Sequence, residues 1–570
     1  MLLKTKGITW GKFLLLISLL TGFNARAQPV KDKKMQWFAD AKLGIFIHWG
    51  IYAVNGISES WAFFNNYTPH DLYMKQLDGF SASKYDPVTW AGLIKESGAK
   101  YAVITAKHHD GVSLWNTKAS GATTTLTNSK AKRDVLSPFI TALKSSGLKT
   151  GIYYSLPDWS YRNYDVFTRD HKRYAIKDEP QRWRTFLNYY QGQLEELSVN
   201  YRPDLIWFDG NWEHNNTEWE AQKTRELLQK YNPNIIINSR LDEHGDYETP
   251  EQGVPVLKPA ADYWELCYTM NDSWGYQPFD TKYKSSNMII RTLVDCISMG
   301  GNLLLDIGPK ADGTIPDQQV QILKDLGRWT KKHAAAIYGT QAGIPAGHIN
   351  AKTALSKDKK NLFIYLDYQE NAGIVLKGIQ SKIVEANVVG YKTTGLSYKP
   401  SGIDGYLLKV LPAAYDKDVT VLHLRFNEPL KTSDPAAAKA IEMPTDKAWV
   451  AKHTEILDHT LPGIPAGHYQ GNTLLSADRQ TLYLFVEGKP TGPIALKGIK
   501  NNISRIRVVG EGTILPYEIY NKLYWSKIPG IVYIPVPEIK LDKHFTVIAV
   551  LLDGPIDLYR EKVGAIESNM

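Results

Sequence analysis

Cysteine is nearly absent from this chain of 570 residues, which holds only Cys267 and Cys296. So few thiols exclude a disulfide framework and leave open either one bridge or two buried thiols. Long apolar runs are equally scarce. The run from Phe13 to Leu20 is too short to span a bilayer, and no later segment is apolar enough to do so. No cysteine follows that run, which argues against a lipid anchor. Lys4, Lys6 and Lys12 flank it and Ala25-Arg26-Ala27 comes after it. Residues 1–27 therefore read as a signal peptide cleaved before Gln28, and the protein is expected to be exported, periplasmic or secreted. No basic run interleaves with aromatics as a phosphate-tracking surface requires. Lys4, Lys6, Lys12 and Arg26 leave with the signal, taking the formal charge from +8 to +4. Nucleic acid is not an expected partner. Cysteine clusters and a His-Glu-x-x-His helix are missing as well, so no metal and no cofactor are expected.

What the chain does have is tryptophan, sixteen of them. Aromatic faces pack against the C–H faces of sugar rings, although core packing accounts for most tryptophans in any protein. It also has short apolar strands that end on polar groups. Leu205-Ile206-Trp207-Phe208 stops on Asp209, Gly44-Ile45-Phe46-Ile47 on His48, and Tyr101-Ala102-Val103-Ile104 leads to Lys107-His108-His109-Asp110-Gly111. The pattern predicts strands near 43–48, 101–106, 150–155, 204–209, 234–239, 262–267 and 302–307. Helices are predicted over 87–98, 134–146, 180–198, 216–231, 283–299 and 316–336. This alternation describes a parallel barrel with functional groups at the carboxyl ends of its strands, with no eighth strand in evident position. After Gly339 the texture turns to alternating strands and turns. Gly343-Ile344-Pro345-Ala346-Gly347-His348 returns as Gly463-Ile464-Pro465-Ala466-Gly467-His468, and Val388-Val389-Gly390 as Val508-Val509-Gly510. Two copies of one β module follow the barrel, with His348 and His468 as structural turn histidines. The expected organisation is a signal peptide over 1–27, a (β/α)8-like TIM barrel over 28–340, a β-sandwich module over 341–430, a linker over 431–445 and a second copy over 446–565. The modules are expected to carry no catalytic residues. Barrel support, glycan binding and homo-oligomer formation stay open as their use.

Asp209 is the leading catalytic candidate. A buried carboxylate is costly unless cations or donors face it, and Arg240, at the end of the next strand, supplies one. Paired in this way it stays charged and suits a nucleophile; the bland alternative is a loop anchor. Glycoside hydrolysis needs a second carboxyl group. The loop after Arg240 offers Glu248 and Glu251, which the pattern alone does not separate. His108 and His109 can both line a site only where their strand has ended, and Asp110-Gly111 marks that end. Neutral imidazoles suit sugar hydroxyls; a metal site is the rival, although the first strand offers only His48. Trp49, Trp61, Tyr154 and Trp274 lie near strand ends, where an apolar wall would suit a sugar with a methyl in place of a hydroxymethyl.

These residues make the resemblance specific. Met35-Gln36-Trp37-Phe38, Lys42 to Gly50, Tyr85 to Trp90, Lys107 to Gly111, Trp207-Phe208-Asp209-Gly210, Ser273-Trp274-Gly275-Tyr276 and Gly300 to Leu305 occur in order. Residues 35–342 resemble the catalytic domain of the exported α-L-fucosidases of glycoside hydrolase family 29. The resemblance implies a retaining exo-α-L-fucosidase acting on fucosylated oligosaccharides or glycoconjugates, without metal. It implies Asp209 as nucleophile, with His48, His108, His109, Tyr154 and Arg240 around the fucose and Trp274 as an aromatic wall. Glu59 or Trp61 matches the acidic-aromatic pair after the first strand, although Ser60 splits them here. Glu251 matches the acid/base that follows a Thr-Pro-Glu-like turn, with Glu248 in reserve. Asp306 stands where the family often has Asn. The rival functions are a metal-dependent hydrolase on the same barrel and a non-catalytic fucose- or glycan-binding protein.

Overall fold

The computed structural model describes residues 33–434, 443–522 and 526–560. The expected signal peptide and residues 435–442 of the expected linker lie outside the described residues. The organising element is a curled parallel sheet. Its strands are β1 (Leu43–Ile47), β2 (Tyr101–Lys107), β3 (Lys149–Ser155), β4 (Leu205–Asp209), β5 (Ile236–Ile237), β6 (Glu265–Thr269) and β7 (Asn302–Ile307), in the spatial order β6-β7-β1-β2-β3-β4-β5. All lie where the alternation of apolar runs predicts. Between β5 and β6 runs a polar segment that no apolar pattern marks. Tyr247 pairs in parallel with Asn238, Glu248 with Trp264 and Glu251 with Cys267. Ser239 N donates to Tyr247 O at 2.8 Å, Glu265 N to Glu248 O at 2.9 Å and Cys267 N to Pro250 O at 3.1 Å.

Strand alternation sorts the side chains. Phe46, Val103, Tyr153, Leu205, Trp207, Cys267 and Leu304 form one buried cluster on the concave face, plugged by Phe38 of helix α1 (Gln36–Ala41). Ile45, Ile104, Ile152, Ile206, Leu266 and Leu305 face the helices instead. Those helices are α2 (Pro87–Glu96), α3 (Leu136–Ser145), α4 (Pro180–Tyr201), α5 (Ala221–Tyr231), α6 (Ser286–Ser298) and α7 (Asp317–Lys332). Side-chain caps set some starts: the Asp86 side chain accepts from Val88 N and Thr89 N, with Pro87 in the first turn. The predicted start of α5 at residue 216 moves to Ala221. Asn215 Oδ1 instead caps a local turn through Thr217 N and Glu218 N, both at 3.0 Å, and Glu220 is left-handed with φ 49°.

The repeat builds two matching sets of antiparallel sheets. In the first copy, five strands lie in the order Gln341–Ala342, Lys352–Leu355, Asn361–Leu366, Thr420–Phe426, Ile383–Val388, beside three in the order Ile374–Leu376, Tyr406–Val410, Leu396–Pro400. The second copy repeats both orders, with Leu461–Pro462, Thr473–Leu475, Thr481–Glu487, Phe545–Leu552, Ile503–Val508 and with Ile494–Leu496, Ile531–Ile534, Glu518–Tyr520. His348 Nδ1 meets Lys377 O and His468 Nδ1 meets Lys497 O, each at 2.9 Å, so both histidines hold turns. Tyr520, Ile531 and Tyr533 join the cluster formed by the curled sheet and its helices, which seats the second copy against β6 and α6. Cys267 and Cys296 are buried and free. Among the described residues no helix is long and apolar enough to cross a membrane.

Candidate active site

Three groups converge at the carboxyl ends of the strands. Asp209 ends β4 in register with Ser155 of β3, and Trp207 pairs with Tyr153 one pleat below. Strand β5 stops after two residues, and the Asn238 side chain takes over its pairing. Asn238 Oδ1 accepts from Phe208 N at 2.8 Å and its Nδ2 donates to Phe208 O at 2.9 Å. That substitution frees the backbone to turn, and it carries Arg240 over the concave face. Arg240 Nη1 donates to Asp209 Oδ1 at 2.5 Å and Nη2 to Glu251 Oε2 at 2.6 Å. Its guanidinium lies 4.4 Å above the Trp207 ring. Burial alone would lower the Arg240 pKa, but Asp209 and Glu251 outweigh it and hold the group charged. Tyr153 Oη donates to Asp209 Oδ2 at 2.8 Å. Burial, reinforced by the Asp209 charge, pushes the phenol far up, so it stays a donor.

The histidines are neutral donors or acceptors. Burial lowers His48, His108 and His109 well below the ordinary imidazole range. Each has its Nδ1 occupied by a protein group, which fixes the ring. His108 Nδ1 bonds Ser60 Oγ at 2.6 Å, His109 Nδ1 bonds Ser155 Oγ at 2.5 Å, and His48 Nδ1 bonds Asp306 Oδ1 at 2.7 Å. Burial pushes Asp306 well up, so the His48–Asp306 pair shares a proton without net charge, and Asp306 can serve as an asparagine would. His109 Nε2 lies 3.5 Å from Asp209 Oδ2. Two expected aromatics lie beside the histidines: Trp274, 5.0 Å from the His48 ring, and Trp61, 5.5 Å edge-on from His109 and stacked with Trp212 at 6.4 Å.

Two expected site residues go elsewhere. Tyr154 Oη donates to Gln193 Oε1 of α4 at 2.7 Å, on the helix side of β3. Alternation gives the concave face to Tyr153, and counting back by two from Ser155 in register with Asp209 would have found it. Glu59 is buried, and its Oε1 accepts from Gly275 N at 2.6 Å. It ties the loop after β1 to the loop bearing Trp274, and of the split pair only Trp61 reaches the mouth. Ser60, the residue that splits them, orients His108 and also accepts from Asp110 N at 2.8 Å. Glu248 lies on the face of its extended segment opposite Tyr247, while Glu251 meets Arg240. His108, His109 and Asp209 could together offer ligand atoms within 4.8 Å of one another to a metal ion. A dication there would share the Asp209 carboxylate with the buried Arg240 guanidinium, an unfavourable like-charge contact.

The family model described as Alpha-L-fucosidase matches residues 21–335. The chain is 31% identical over 366 residues to an alpha-L-fucosidase of Branchiostoma floridae, covering 58% of this chain and 79% of that one. It is 30% identical over 415 residues to the tissue alpha-L-fucosidase of Macaca fascicularis, covering 64% and 85%. Among solved structures it is similar to alpha-L-fucosidase isoenzyme 1 from Paenibacillus thiaminolyticus, with a TM-score of 0.63 at 30% identity, covering 70% of this chain and 99% of that one. An alpha-L-fucosidase from Bacteroides thetaiotaomicron, solved as a trapped covalent intermediate with 2-fluoro-fucosyl fluoride, gives 0.62 at 26% identity, covering 70% and 96%.

Proposed function

We propose a mechanism from one premise: the chain belongs to the alpha-L-fucosidase family, and it is an enzyme, a glycoside hydrolase that removes terminal α-L-fucose. Asp209 attacks the anomeric carbon, and Glu251 protonates the departing glycosidic oxygen. Glu251 then takes a proton from water, which opens the fucosyl–Asp209 ester with the original configuration retained. The observation that carries this reading is Arg240, whose two terminal nitrogens hold Asp209 and Glu251 at 2.5 and 2.6 Å. Two carboxyls on one guanidinium favour the spacing of about 5–5.5 Å used by retaining enzymes over the wider one that admits a water. The covalent intermediate trapped in the Bacteroides relative is in keeping with it. A carboxylate bound to a guanidinium stays charged, whereas the acid must carry a proton. Glu251 therefore leaves Arg240 as the sugar enters. His48, His108 and His109 bond the fucose hydroxyls, and Trp61 and Trp274 receive its apolar face.

The remaining readings are of the same kind. The catalytic part is a (β/α)8-like barrel in which residues 246–252 stand in for the eighth strand. Two β-sandwich modules follow, with boundaries near residues 340, 430 and 446. The protein is exported after loss of residues 1–27, and its substrates are fucosylated glycans. Product NMR tests the mechanism: α-L-fucose as the first anomer is expected, and β-L-fucose overturns it. Asp209→Asn should abolish nearly all turnover while leaving fucose affinity within about tenfold. The cluster of His108, His109 and Asp209 supports a second reading, a metal-assisted hydrolase. Chelator-sensitive turnover restored by a divalent cation would favour it.

A further inference from the structure

The bend that aims Glu251 is held by the far end of the chain. Gln252, the next residue, is left-handed with φ 56° and is 1% exposed. A side-chain-bearing residue stays in that conformation only where its surroundings hold it. The contacts of Gln252 do so here, among them Thr269 N, which donates to its Oε1 at 3.3 Å. Its backbone N donates to Cys267 O of β6 at 2.9 Å. Its Nε2 donates to Thr269 Oγ1 at 2.9 Å. Its Oε1 accepts from Asn521 Nδ2 at 2.8 Å, across 269 residues of chain. Asn521 belongs to the second β module, is buried and is itself left-handed with φ 60°, which suits asparagine. Ile528 of the same module covers Gly253, where a Cβ would come within 2.9 Å of Ile528 Cγ2. Lys282 Nζ donates to Ile519 O at 2.9 Å and pins the module to the loop after β6.

A general acid acts only within hydrogen-bond reach of the oxygen it protonates, and an error of about 1 Å is costly. On the proposed mechanism Glu251 moves off Arg240, and Gln252 fixes the backbone from which its side chain extends. We infer that Asn521 is a positioning residue for Glu251: through Gln252 it sets the approach of the acid/base to the leaving oxygen, so the second β module is part of the catalytic apparatus. The inference rests on the reading of Glu251 as acid/base.

Asn521→Gly in the full chain removes the amide and keeps a residue that accepts φ 60°. The value of kcat/KM, which reports the first step, should fall about tenfold on a fucosyl disaccharide, whose leaving group needs a proton. It should change by less than about twofold on an activated aryl fucoside. Gln252→Gly should show the same split, and the double variant should be no worse than either single one, because both act through one contact. Equal losses on both substrates, additive losses in the double variant, or wild-type behaviour would overturn the inference. Asn521→Ser keeps a polar residue but is too short to reach Gln252 Oε1, so it decides the matter if a glycine variant fails to fold: the same split is expected, and no split overturns the inference. Glu251→Ala, assayed alongside with added azide, isolates the premise. If azide fails to restore turnover of the aryl fucoside, the acid/base reading falls and this inference with it. If azide rescues Glu251→Ala while Asn521→Gly shows no split, only the positioning role falls.

Discussion

Tyr153 and Tyr154 are chemically identical neighbours whose fates are set by one strand pleat. Tyr153 shares the concave face with Trp207 and Asp209 and donates to the carboxylate, whereas Tyr154 donates to Gln193 among the helices. The resemblance pointed to Tyr154, and the period of two brings Tyr153 to the carboxylate instead. On the proposed mechanism Tyr153→Phe should lower kcat about tenfold or more, because it removes the hydrogen bond that holds the Asp209 carboxylate in place for attack. Tyr154→Phe should leave kcat/KM near wild type and cost about 1 kcal/mol of stability for the lost buried hydrogen bond. Steady-state kinetics and thermal melts on the two variants check both halves. The pairing of Asp209 with Arg240 was legible from a strand end and a neighbouring cation, whereas only the resemblance set Glu251 ahead of Glu248. The serines that orient His108 and His109 were not legible, since a lone serine carries no sequence signal until its partner is placed.

At the scale of elements, the segment between β5 and β6 carries no sequence signal for the place it takes beside the sheet. Asp246-Tyr247-Glu248-Thr249-Pro250-Glu251-Gln252 has no apolar run, and backbone pairing to Asn238, Trp264 and Cys267 holds it in place. Of its side chains, Asp246 pairs with Lys34 and Arg225, Tyr247 joins the buried cluster and Glu251 meets Arg240. Strand β6 beside it carries a different polar group, Glu265, buried beneath the site. Glu265 Oε1 accepts from Trp207 Nε1 at 3.2 Å, and its other oxygen accepts from Tyr101 Oη. It thereby fixes the indole on which Arg240 rests. Burial pushes the Glu265 carboxyl up to about 7. The native chain thus keeps this proton where the unfolded chain, near 4.5, has released it, and stability falls as pH rises between those values. Glu265→Gln keeps the neutral shape without the penalty. Its melting temperature should match wild type near pH 4.5 and exceed it above pH 7, by up to about 3 kcal/mol in stability at about 1.4 kcal/mol per pKa unit. A difference between the two proteins that does not change with pH would contradict this assignment.

On the scale of the whole molecule, the duplication reaches further back than its strands. Trp329, Lys332 and His333 at the end of α7 match Trp449, Lys452 and His453, where a short helix (Lys447–Lys452) opens the second copy. His333 Nδ1 meets Trp329 O at 2.9 Å and His453 Nδ1 meets Trp449 O at 2.8 Å. The first copy borrows the last helix of the curled sheet as its cap, and the second carries its own remnant. Sequence texture placed the change at Gly339 because the borrowed turn has helical periodicity. The copies meet through Tyr368–Gln369 antiparallel to Lys489–Pro490, equivalent segments paired as in a two-fold dimer. Both are also tied to α6 at one carboxylate. Asp295 meets Lys352 of the first copy and, at 2.7 Å, Lys497 of the second, while Arg291 holds Asp367 at 2.9 Å. Burial lowers both lysines, Lys497 to about 8. Three cations thus face two carboxylates. Removing Asp295 strands the buried Lys497 and the partly exposed Lys352, whereas Lys352→Met removes one charge from the side in excess. Asp295→Ala should therefore cost about 3–5 kcal/mol and Lys352→Met clearly less. Since the junction unites α6 with both copies, Asp295→Ala should also quicken proteolytic cleavage between them under conditions where Lys352→Met stays intact. Equal destabilisation by the two variants would mean that packing, rather than the shared carboxylate, joins the three parts.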